Sequence, residues 1–245
     1  MKVDSLSILL AEETPWEGNT NFRIKVIQPG LVLDKGAGTA IQTQYSKSKH
    51  EFGPLQLVMH CYLKDIHIPM HEHRNDEIMS YLYTGKMRHK DSVGQTATIS
   101  ASNIMMMNAG RSFYHEETSE ACEALQILIR PEEQDLDSGV QFFAREVNVA
   151  KEWQLIAGPK EMSEAPLKIR NRVIIYDAYM QANSKIQIPK IEGFTPWLFI
   201  MNGELQIDNT LLTKGDAIAG DSLYNNSIHL LTDTTLVLFL SDVNA

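Results

Sequence analysis

Several features that define whole classes of protein are scarce in this chain. Only two of its 245 residues are cysteines, Cys61 and Cys122, which excludes a disulfide framework and a cysteine-based zinc site. No stretch approaches the roughly 20 apolar residues of a membrane span. No long apolar run follows the first residues, so no signal peptide is expected. These absences predict a protein of the reducing cytoplasm, without a membrane association.

Positive charge is also in short supply. Lysine and arginine number 22 against 31 aspartates and glutamates, which gives a net charge of −9 and a pI of about 5.4. An acidic chain without a run of basic residues has no general attraction to nucleic acid or to an anionic membrane. The chain also has no glycine-rich phosphate loop and no Gly-X-Ser-X-Gly motif. Common signatures of nucleotide binding and of serine hydrolases are therefore missing.

Helical periodicity is scarce, and one short helix is predicted near Ser138–Arg145, with others near the N-terminus. Turn signals such as Thr84-Gly85 separate short β-rich segments, a pattern that predicts an all-β sandwich or barrel. The predicted strands are Leu55–Tyr62, Ile78–Tyr83, Lys86–His89, Thr96–Ile99, Ile104–Met107, Ala124–Ile129, Arg172–Tyr179, Ser184–Ile188, Trp197–Met201, Glu204–Ile207, Ala217–Ala219 and Thr235–Leu240.

The two halves of the chain resemble one another. Tyr81–Met87 is similar to Phe199–Leu205, and Ser100–Ile104 is similar to Thr213–Ala217, in the same order. Each glycine of the first pair is predicted to lie in a hairpin between apolar strands. A duplicated β-module follows from this similarity. The polar, turn-rich segment at 130–139 predicts a boundary, so the expected domains are residues 1–135 and 136–245.

Histidine is present at a spacing that suits a metal. Seven of the eight histidines lie between residues 50 and 115. Two segments among them, His71-Glu72-His73 and His115-Glu116-Glu117, each offer two metal ligands at positions i and i+2. Two neighbouring strands that each present such a pair can surround one ion through three imidazoles and one carboxylate.

The alternation of a β-strand decides which side chains of each segment point together. Residues two apart project from the same face, roughly 6.5–7 Å apart. Extended backbone therefore groups His71 with His73, and His115 with Glu117, and it turns Glu116 away. Imidazole nitrogen and carboxylate oxygen suit Fe(II), Mn(II), Ni(II), Cu(II) or Zn(II). The predicted metal ligands are His71, His73, His115 and Glu117.

Other residues near these segments have alternative roles. Glu77 follows His73 by four residues and is a reserve ligand, or an acceptor beside the site, if the strand bends. His89 and Asp91 share the i, i+2 spacing but run into a turn, so they are interpreted as the structural end of a hairpin. His229 stands alone in the second half, and one metal site is therefore predicted, not two. The opposing interpretation is that the histidine segments are merely exposed polar strand residues.

Five ordered motifs resemble the pirin family of bicupins. They are His71 to Glu77, Tyr81 to Gly85, His89 to Gly94, Asn108 to Arg111 and His115 to Glu117. The resemblance spans roughly residues 50 to 130. The second half is similar to the metal-free C-terminal cupin of the family in layout more than in residues.

The sequence departs from the family pattern in three places. Glu72 stands where the family usually has proline, Asn75 and Asp76 replace a glycine–aromatic pair, and Ser102 and Asn103 replace a common Gly-Asp. The first two departures lie beside the candidate ligands. They are expected to alter loop shape and substrate fit.

The resemblance implies two antiparallel jelly-roll β-barrels in one chain. It also implies one metal in the first barrel, held by His71, His73, His115 and Glu117. Fe(II) is the ion expected from the family, with Mn, Ni, Cu, Co or Zn as alternatives. Some members resemble quercetin 2,3-dioxygenases, which implies a flavonol substrate, dioxygen, release of carbon monoxide, and Glu117 as the catalytic proton acceptor. Other members resemble metal-dependent or redox-sensing regulators, so a non-enzymatic protein acting through a protein partner is the alternative function.

Overall fold

The structure is a computed structural model that describes residues 6–29, 31–33, 43–45, 52–147, 149 and 151–245. These residues form β-strands and two short 3-10 helices, Ala11–Glu13 and Asp221–Asn225, and they include no α-helix. The predicted all-β class is confirmed. Neither helix has the length and apolar character that crossing a bilayer would require, within the part of the chain that is described.

The strands are numbered in chain order. They are β1 (Ser7–Leu9), β2 (Glu17–Gly18), β3 (Phe22–Pro29), β4 (Leu31–Leu33), β5 (Thr43–Tyr45), β6 (Leu55–His73), β7 (Glu77–Asp91), β8 (Thr96–Ser100), β9 (Asn103–Asn108), β10 (Phe113–Ile129), β11 (Gly139–Ala144), β12 (Lys151–Pro159), β13 (Leu167–Ile169), β14 (Val173–Met180), β15 (Lys185–Ile186), β16 (Thr195–Asn202), β17 (Glu204–Ile207), β18 (Thr210–Thr213), β19 (Ala217–Ala219), β20 (Ile228–Leu230) and β21 (Thr234–Ser241).

The helix predicted near Ser138–Arg145 is wrong, because β11 occupies this segment. It pairs antiparallel with β9, from Gly139 opposite Asn108 to Ala144 opposite Asn103. Glycine, valine and phenylalanine are weak helix formers, and the last two fit a pleated surface well. The backbone therefore extends and completes one edge of a sheet.

The chain divides into two compact units. The first comprises residues 15–147 and 169–171, and the second comprises residues 1–14, 148–168 and 172–245. β11 belongs to the first unit, while β1 pairs with β19 in the second. The predicted boundary between residues 135 and 136 assigns these two segments differently, because pairing between distant strands decides their place.

The first unit is built on one eight-stranded sheet in the order β11-β9-β8-β7-β10-β6-β3-β2, in which β9 also pairs with β7. Long strands β6, β7 and β10 lie side by side and pair antiparallel. Alternate side chains of β6, from Leu57 through Met59 and Cys61 to Leu63, point into one apolar core. In the second unit, sheets of seven and four strands surround a mainly aliphatic core.

The predicted turn at Thr84-Gly85 is wrong, because β7 runs through it as a single strand. Gly85 adopts a φ of +79°. A Cβ atom at this position would lie 1.9 Å from the carbonyl oxygen of Ala121 on β10. The register between the two strands shifts between Ser119 and Cys122, opposite this glycine. The extra residue of this shift lies in β10, so the glycine sits opposite a β-bulge, where only a residue without a side chain fits.

β7 carries one extra residue of its own, Tyr83, because Glu123 lies opposite Thr84 and Ala124 lies opposite Leu82. This residue changes which side chains of β7 face the core. Before it, the even-numbered Ile78 and Leu82 pack in the core, whereas after it the odd-numbered Met87 does so. His89 and Asp91 continue the odd-numbered series and are buried. One inserted residue thus turns the second half of β7 so that this histidine and aspartate point inward.

Candidate metal centre

Three histidines from β6 and β10 converge inside the first unit. The strand register places His71 opposite His115 and His73 opposite Phe113. The ring centroids are 4.4 Å apart for His71 and His115, 4.9 Å for His71 and His73, and 5.2 Å for His73 and His115. One ligand nitrogen from each ring lies within 4.8 Å of the other two. The three rings can therefore converge on a single ion.

Glu117 lies beside His115 but belongs to a different group. A bulge in β6 lies opposite the step between the two residues, because the register goes from His115 opposite His71 to Glu117 opposite Ile68. The carboxylate oxygen Oε1 of Glu117 is 3.9 Å from His115 Nδ1. Among the described residues, Glu117 groups with His89 and His115, and no single group contains all four predicted ligands.

Hydrogen bonds at Nδ1 leave Nε2 available on two of the rings. His71 Nδ1 lies 2.9 Å from the carbonyl oxygen of Pro69, and His73 Nδ1 lies 3.1 Å from Asp76 Oδ2. A carbonyl or carboxylate oxygen accepts, so each histidine donates through Nδ1 and its Nε2 carries a lone pair. Asp76 was not predicted as a partner. It is one of the departures from the family pattern, and its contact with His73 depends on the turn at Asn75, where φ is +53°.

His115 offers a buried atom that has no partner within the protein. Its Nε2 is buried and forms no hydrogen bond to any described residue. Burial, with a smaller contribution from the neighbouring histidines, lowers the pKa of His115 to about 2, so the ring is neutral. A buried polar atom without a partner is costly, and native proteins rarely keep one. Coordination to a metal would satisfy it.

Glu117 has a similar orphan atom. Its Oε1 is buried without a hydrogen-bond partner among the described residues. Burial raises the pKa of Glu117 to about 7, because the charged form loses its hydration. Neutral imidazoles and one carboxylate are a donor set that fits a divalent transition metal. The residues present therefore fit the kind of ion that the sequence predicted.

His89 and Asp91 adjoin the histidine cluster, although the sequence suggested only a hairpin end. Both side chains are fully buried, and His89 Nε2 lies 3.1 Å from Asp91 Oδ2. His89 Nδ1 lies 3.4 Å from His115 Nδ1. The signal for this role was the same i, i+2 spacing that marked the ligand pairs. The turn signal that follows Asp91 led instead to the interpretation of the pair as a hairpin end.

Glu77 and His229 lie away from the cluster. Glu77 Oε2 accepts hydrogen bonds from Asn108 Nδ2 at 2.6 Å and from the backbone N–H of Arg170 at 3.0 Å. It belongs to no group of potential metal ligands in the described part of the chain. His229 is exposed on β20. The described histidine groups both lie in the first unit.

Comparison with known proteins gives the chain a family. Residues 31–129 match the family model described as Pirin, and residues 155–240 match the model described as Quercetinase C-terminal cupin domain. A quercetin 2,3-dioxygenase of Escherichia coli K12 is 25% identical over 174 residues, which cover 69% of this chain and 74% of that protein. Pirin-1 of Arabidopsis thaliana is 26% identical over 203 residues, or 77% of this chain and 70% of that protein.

Solved structures agree on the fold. The nickel(II) complex of the bacterial pirin YhhW from Escherichia coli superposes with a TM-score of 0.80 at 18% identity, over 97% of this chain and 99% of that one. The expected bicupin fold, with two cupin domains, is thereby confirmed. Two family models that follow each other along the sequence, together with this fold, show that the chain belongs to the pirin family.

Proposed function

We propose that the chain is a metal-dependent dioxygenase of the pirin type, which cleaves a flavonol such as quercetin with dioxygen. The observation that carries the proposal is the cluster of three imidazoles around the unpartnered Nε2 of His115. The names of its relatives support the substrate class, because the Escherichia coli K12 protein is named quercetin 2,3-dioxygenase. Both cysteines are free and buried, which suits the reducing cytoplasm as the proposed compartment.

In this proposal His71, His73 and His115 hold the metal through Nε2, and Glu117 supplies the carboxylate. Fe(II) is the proposed ion, with Mn, Ni, Cu, Co or Zn as alternatives. Nickel(II) has support from the bacterial pirin YhhW, whose solved structure is a complex with that ion. When bound, the metal supplies Lewis acidity toward the enol oxygen of a flavonol. Hydrogen bonds to Pro69 and Asp76 hold two of the rings in the orientation that this arrangement needs.

The chain's own residues supply a proton acceptor and a direction of approach. Glu117 is the proposed acceptor for the flavonol hydroxyl proton, and its pKa of about 7 suits transfer near neutral pH. His115 is almost fully buried, whereas His71 is only partly buried. Substrate would therefore reach the cluster from the side of His71, while the barrel interior excludes water behind His115.

The activity is tested by product stoichiometry. Purified protein, stripped of metal and reloaded separately with Fe(II), Mn(II), Ni(II), Cu(II), Co(II) or Zn(II), is given quercetin and dioxygen. We expect at least one metal to support consumption of one dioxygen and release of one carbon monoxide per quercetin. Absence of turnover with every metal would contradict the enzyme. Stoichiometric metal without turnover would favour the alternative, a regulator acting through a protein partner.

The ligand set is tested by metal content. We expect His71→Ala, His73→Ala and His115→Ala each to lower bound metal by at least about tenfold, since each removes one donor from a small set. His229→Ala is the matched control and should retain the wild-type metal content, because this histidine is exposed in the second unit. Elemental analysis after equilibration with one metal gives the measurement. If the group of His89, His115 and Glu117 held the ion instead, His71→Ala would retain it.

A further inference from the structure

Beyond the proposed ligands, a buried aspartate–histidine pair touches the metal centre from β7. We infer that Asp91 and His89 are positioning residues that fix the tautomer of His115, so that its Nε2 lone pair faces the metal. The inference deepens the proposed function and rests on it for the identity of the metal site. The hydrogen-bond chain itself is a property of the protein without metal.

The chain begins at a carboxylate whose orientation is fixed. Asp91 Oδ1 accepts hydrogen bonds from the backbone N–H groups of Val93 at 3.1 Å and Gln95 at 2.9 Å. Both donors belong to the turn that follows β7. Oδ2 is thereby directed toward His89 Nε2, at 3.1 Å, with both side chains fully buried. The turn therefore holds the carboxylate against the imidazole.

The direction of each hydrogen bond follows from the carboxylate. The Asp91 carboxylate can only accept, so His89 carries its proton on Nε2. A neutral imidazole that donates through Nε2 accepts through Nδ1. His89 Nδ1 lies 3.4 Å from His115 Nδ1, so His115 donates there and keeps a lone pair on Nε2. This is the atom that has no partner within the protein.

The nearby carboxylate of Glu117 does not take this role. Its Oε1 lies 3.9 Å from His115 Nδ1, beyond hydrogen-bond distance. His89 is thus the nearest acceptor for the His115 proton. The three metal-facing rings then share one pattern, since His71 and His73 also donate through Nδ1, to Pro69 and Asp76.

Asp91→Asn is the decisive variant because it reverses the direction of the hydrogen bonds that run from residue 91 through His89 to His115, and it keeps the shape of the side chain. The amide oxygen keeps the turn hydrogen bonds, while the amide N–H donates to His89 Nε2. His89 must then donate through Nδ1, and His115 must accept through Nδ1 and protonate Nε2. We expect nitrogen-15 NMR of metal-free protein to show Nδ1–H on His115 in the wild type and Nε2–H in the variant. Nickel(II) affinity should fall by about 10- to 100-fold.

Two further variants control the experiment. Lys90 lies between His89 and Asp91 in the sequence, but its side chain points to solvent and contacts Glu116. Lys90→Ala should therefore leave the tautomer of His115 and the nickel(II) affinity unchanged. His89→Leu removes the acceptor altogether and should also weaken nickel(II) binding, which keeps the inference testable if Asp91→Asn does not fold. If His89 were itself a ligand, His89→Leu would abolish binding while His71→Ala spared it, and the inference would be wrong.

The two proposals fail in different ways. Wild-type protein that binds no nickel(II) would overturn the metal site, while the NMR experiment would still decide the tautomer. Nε2–H on His115 in the wild type overturns the inference, as does wild-type affinity in Asp91→Asn. An Nδ1–H tautomer that reverses in the variant, together with weakened binding, supports it.

Discussion

Two buried glutamates of the first unit lie in contrasting surroundings. Burial raises the pKa of both Glu77 and Glu117 to about 7. Glu77 accepts hydrogen bonds from Asn108 and Arg170, whereas Oε1 of Glu117 has no partner in the described part of the protein. The first carboxylate is therefore suited to holding the backbone at residue 170, and the second remains available for chemistry.

Glu77 gives the fold a dependence on pH. Its pKa is about 7 in the folded protein against 4.5 in the unfolded chain, so the folded state holds the proton to higher pH. The stabilisation is full below about pH 4.5 and is lost as pH rises to about 7. We expect Glu77→Gln, in metal-free protein, to remove a decline on the order of 3 kcal/mol across this range. Urea unfolding at several pH values measures it.

The exposed Glu133→Gln is the matched control for that experiment and should keep the wild-type pH profile. The contribution of Glu117 has the same sign and is common to all three proteins, so it cancels in the comparison. A Glu77→Gln profile that declines as steeply as the wild type would contradict the prediction.

Prediction from sequence worked at the residue scale wherever strand alternation was sufficient. It grouped His71 with His73 and turned Glu116 away from Glu117, which is buried while Glu116 is partly exposed. It did not identify Asp76 or the pairing of His89 with His115. Those contacts depend on a turn and on a neighbouring strand, neither of which alternation within one segment describes.

At the scale of the element, β7 shows why a glycine is ambiguous in sequence. Positive φ and close backbone approach occur in turns and in bulges alike. Gly85 and Gly203 were both expected in hairpins. Gly85 instead lies within one strand, and Gly203, with a φ of +97°, lies in a bend where a Cβ atom would lie 2.7 Å from the carbonyl oxygen of Asp233. Which partner backbone approaches each glycine is decided by sheet pairing.

Substitution of Gly85, which lies opposite the bulge in β10, should destabilise the fold more than substitution of Gly94, a turn glycine of similar φ. Gly85→Ala must accept a φ of +79° and a Cβ atom in contact with Ala121, whereas Gly94→Ala accepts a φ of +88° with open space around it. We expect Gly94→Ala to cost about 1–2 kcal/mol in the free energy of unfolding. Gly85→Ala should cost at least about 2 kcal/mol more, because backbone must move. Equal losses in chemical unfolding would contradict the role of the close approach.

At the scale of the whole molecule, the two units repeat an architecture with different interiors. The first interior combines apolar residues with buried His89, His115 and Glu117, whereas the second is mainly aliphatic. The repeat was visible in sequence as matched glycine-containing segments. The division of the chain was harder to predict, because β11 pairs with β9 across the predicted boundary and β1 pairs with β19, near the other end of the chain.

Metal binding should therefore stabilise the molecule unevenly. An ion held by His71, His73 and His115 would link β6 to β10, and a ligand at 100 times its Kd adds about 2.7 kcal/mol to the state that binds it. We expect nickel(II) to slow hydrogen exchange of amides in β6, β7 and β10 of wild-type protein. His115→Ala should show no such change. Equal slowing throughout β14, β16 and β21 would contradict a site confined to the first unit.

The extra residue Tyr83 makes the two halves of β7 out of phase with each other. The half before Tyr83 faces the core with even-numbered residues such as Ile78 and Leu82, and the half after it does so with odd-numbered ones. Deleting Tyr83 would restore a single phase along the strand. Arg88 and Lys90 would then point into the barrel, and His89 and Asp91 would point to solvent. An insertion or deletion of one residue here would therefore remove His89 and Asp91 from the metal centre, although both residues remain in the chain.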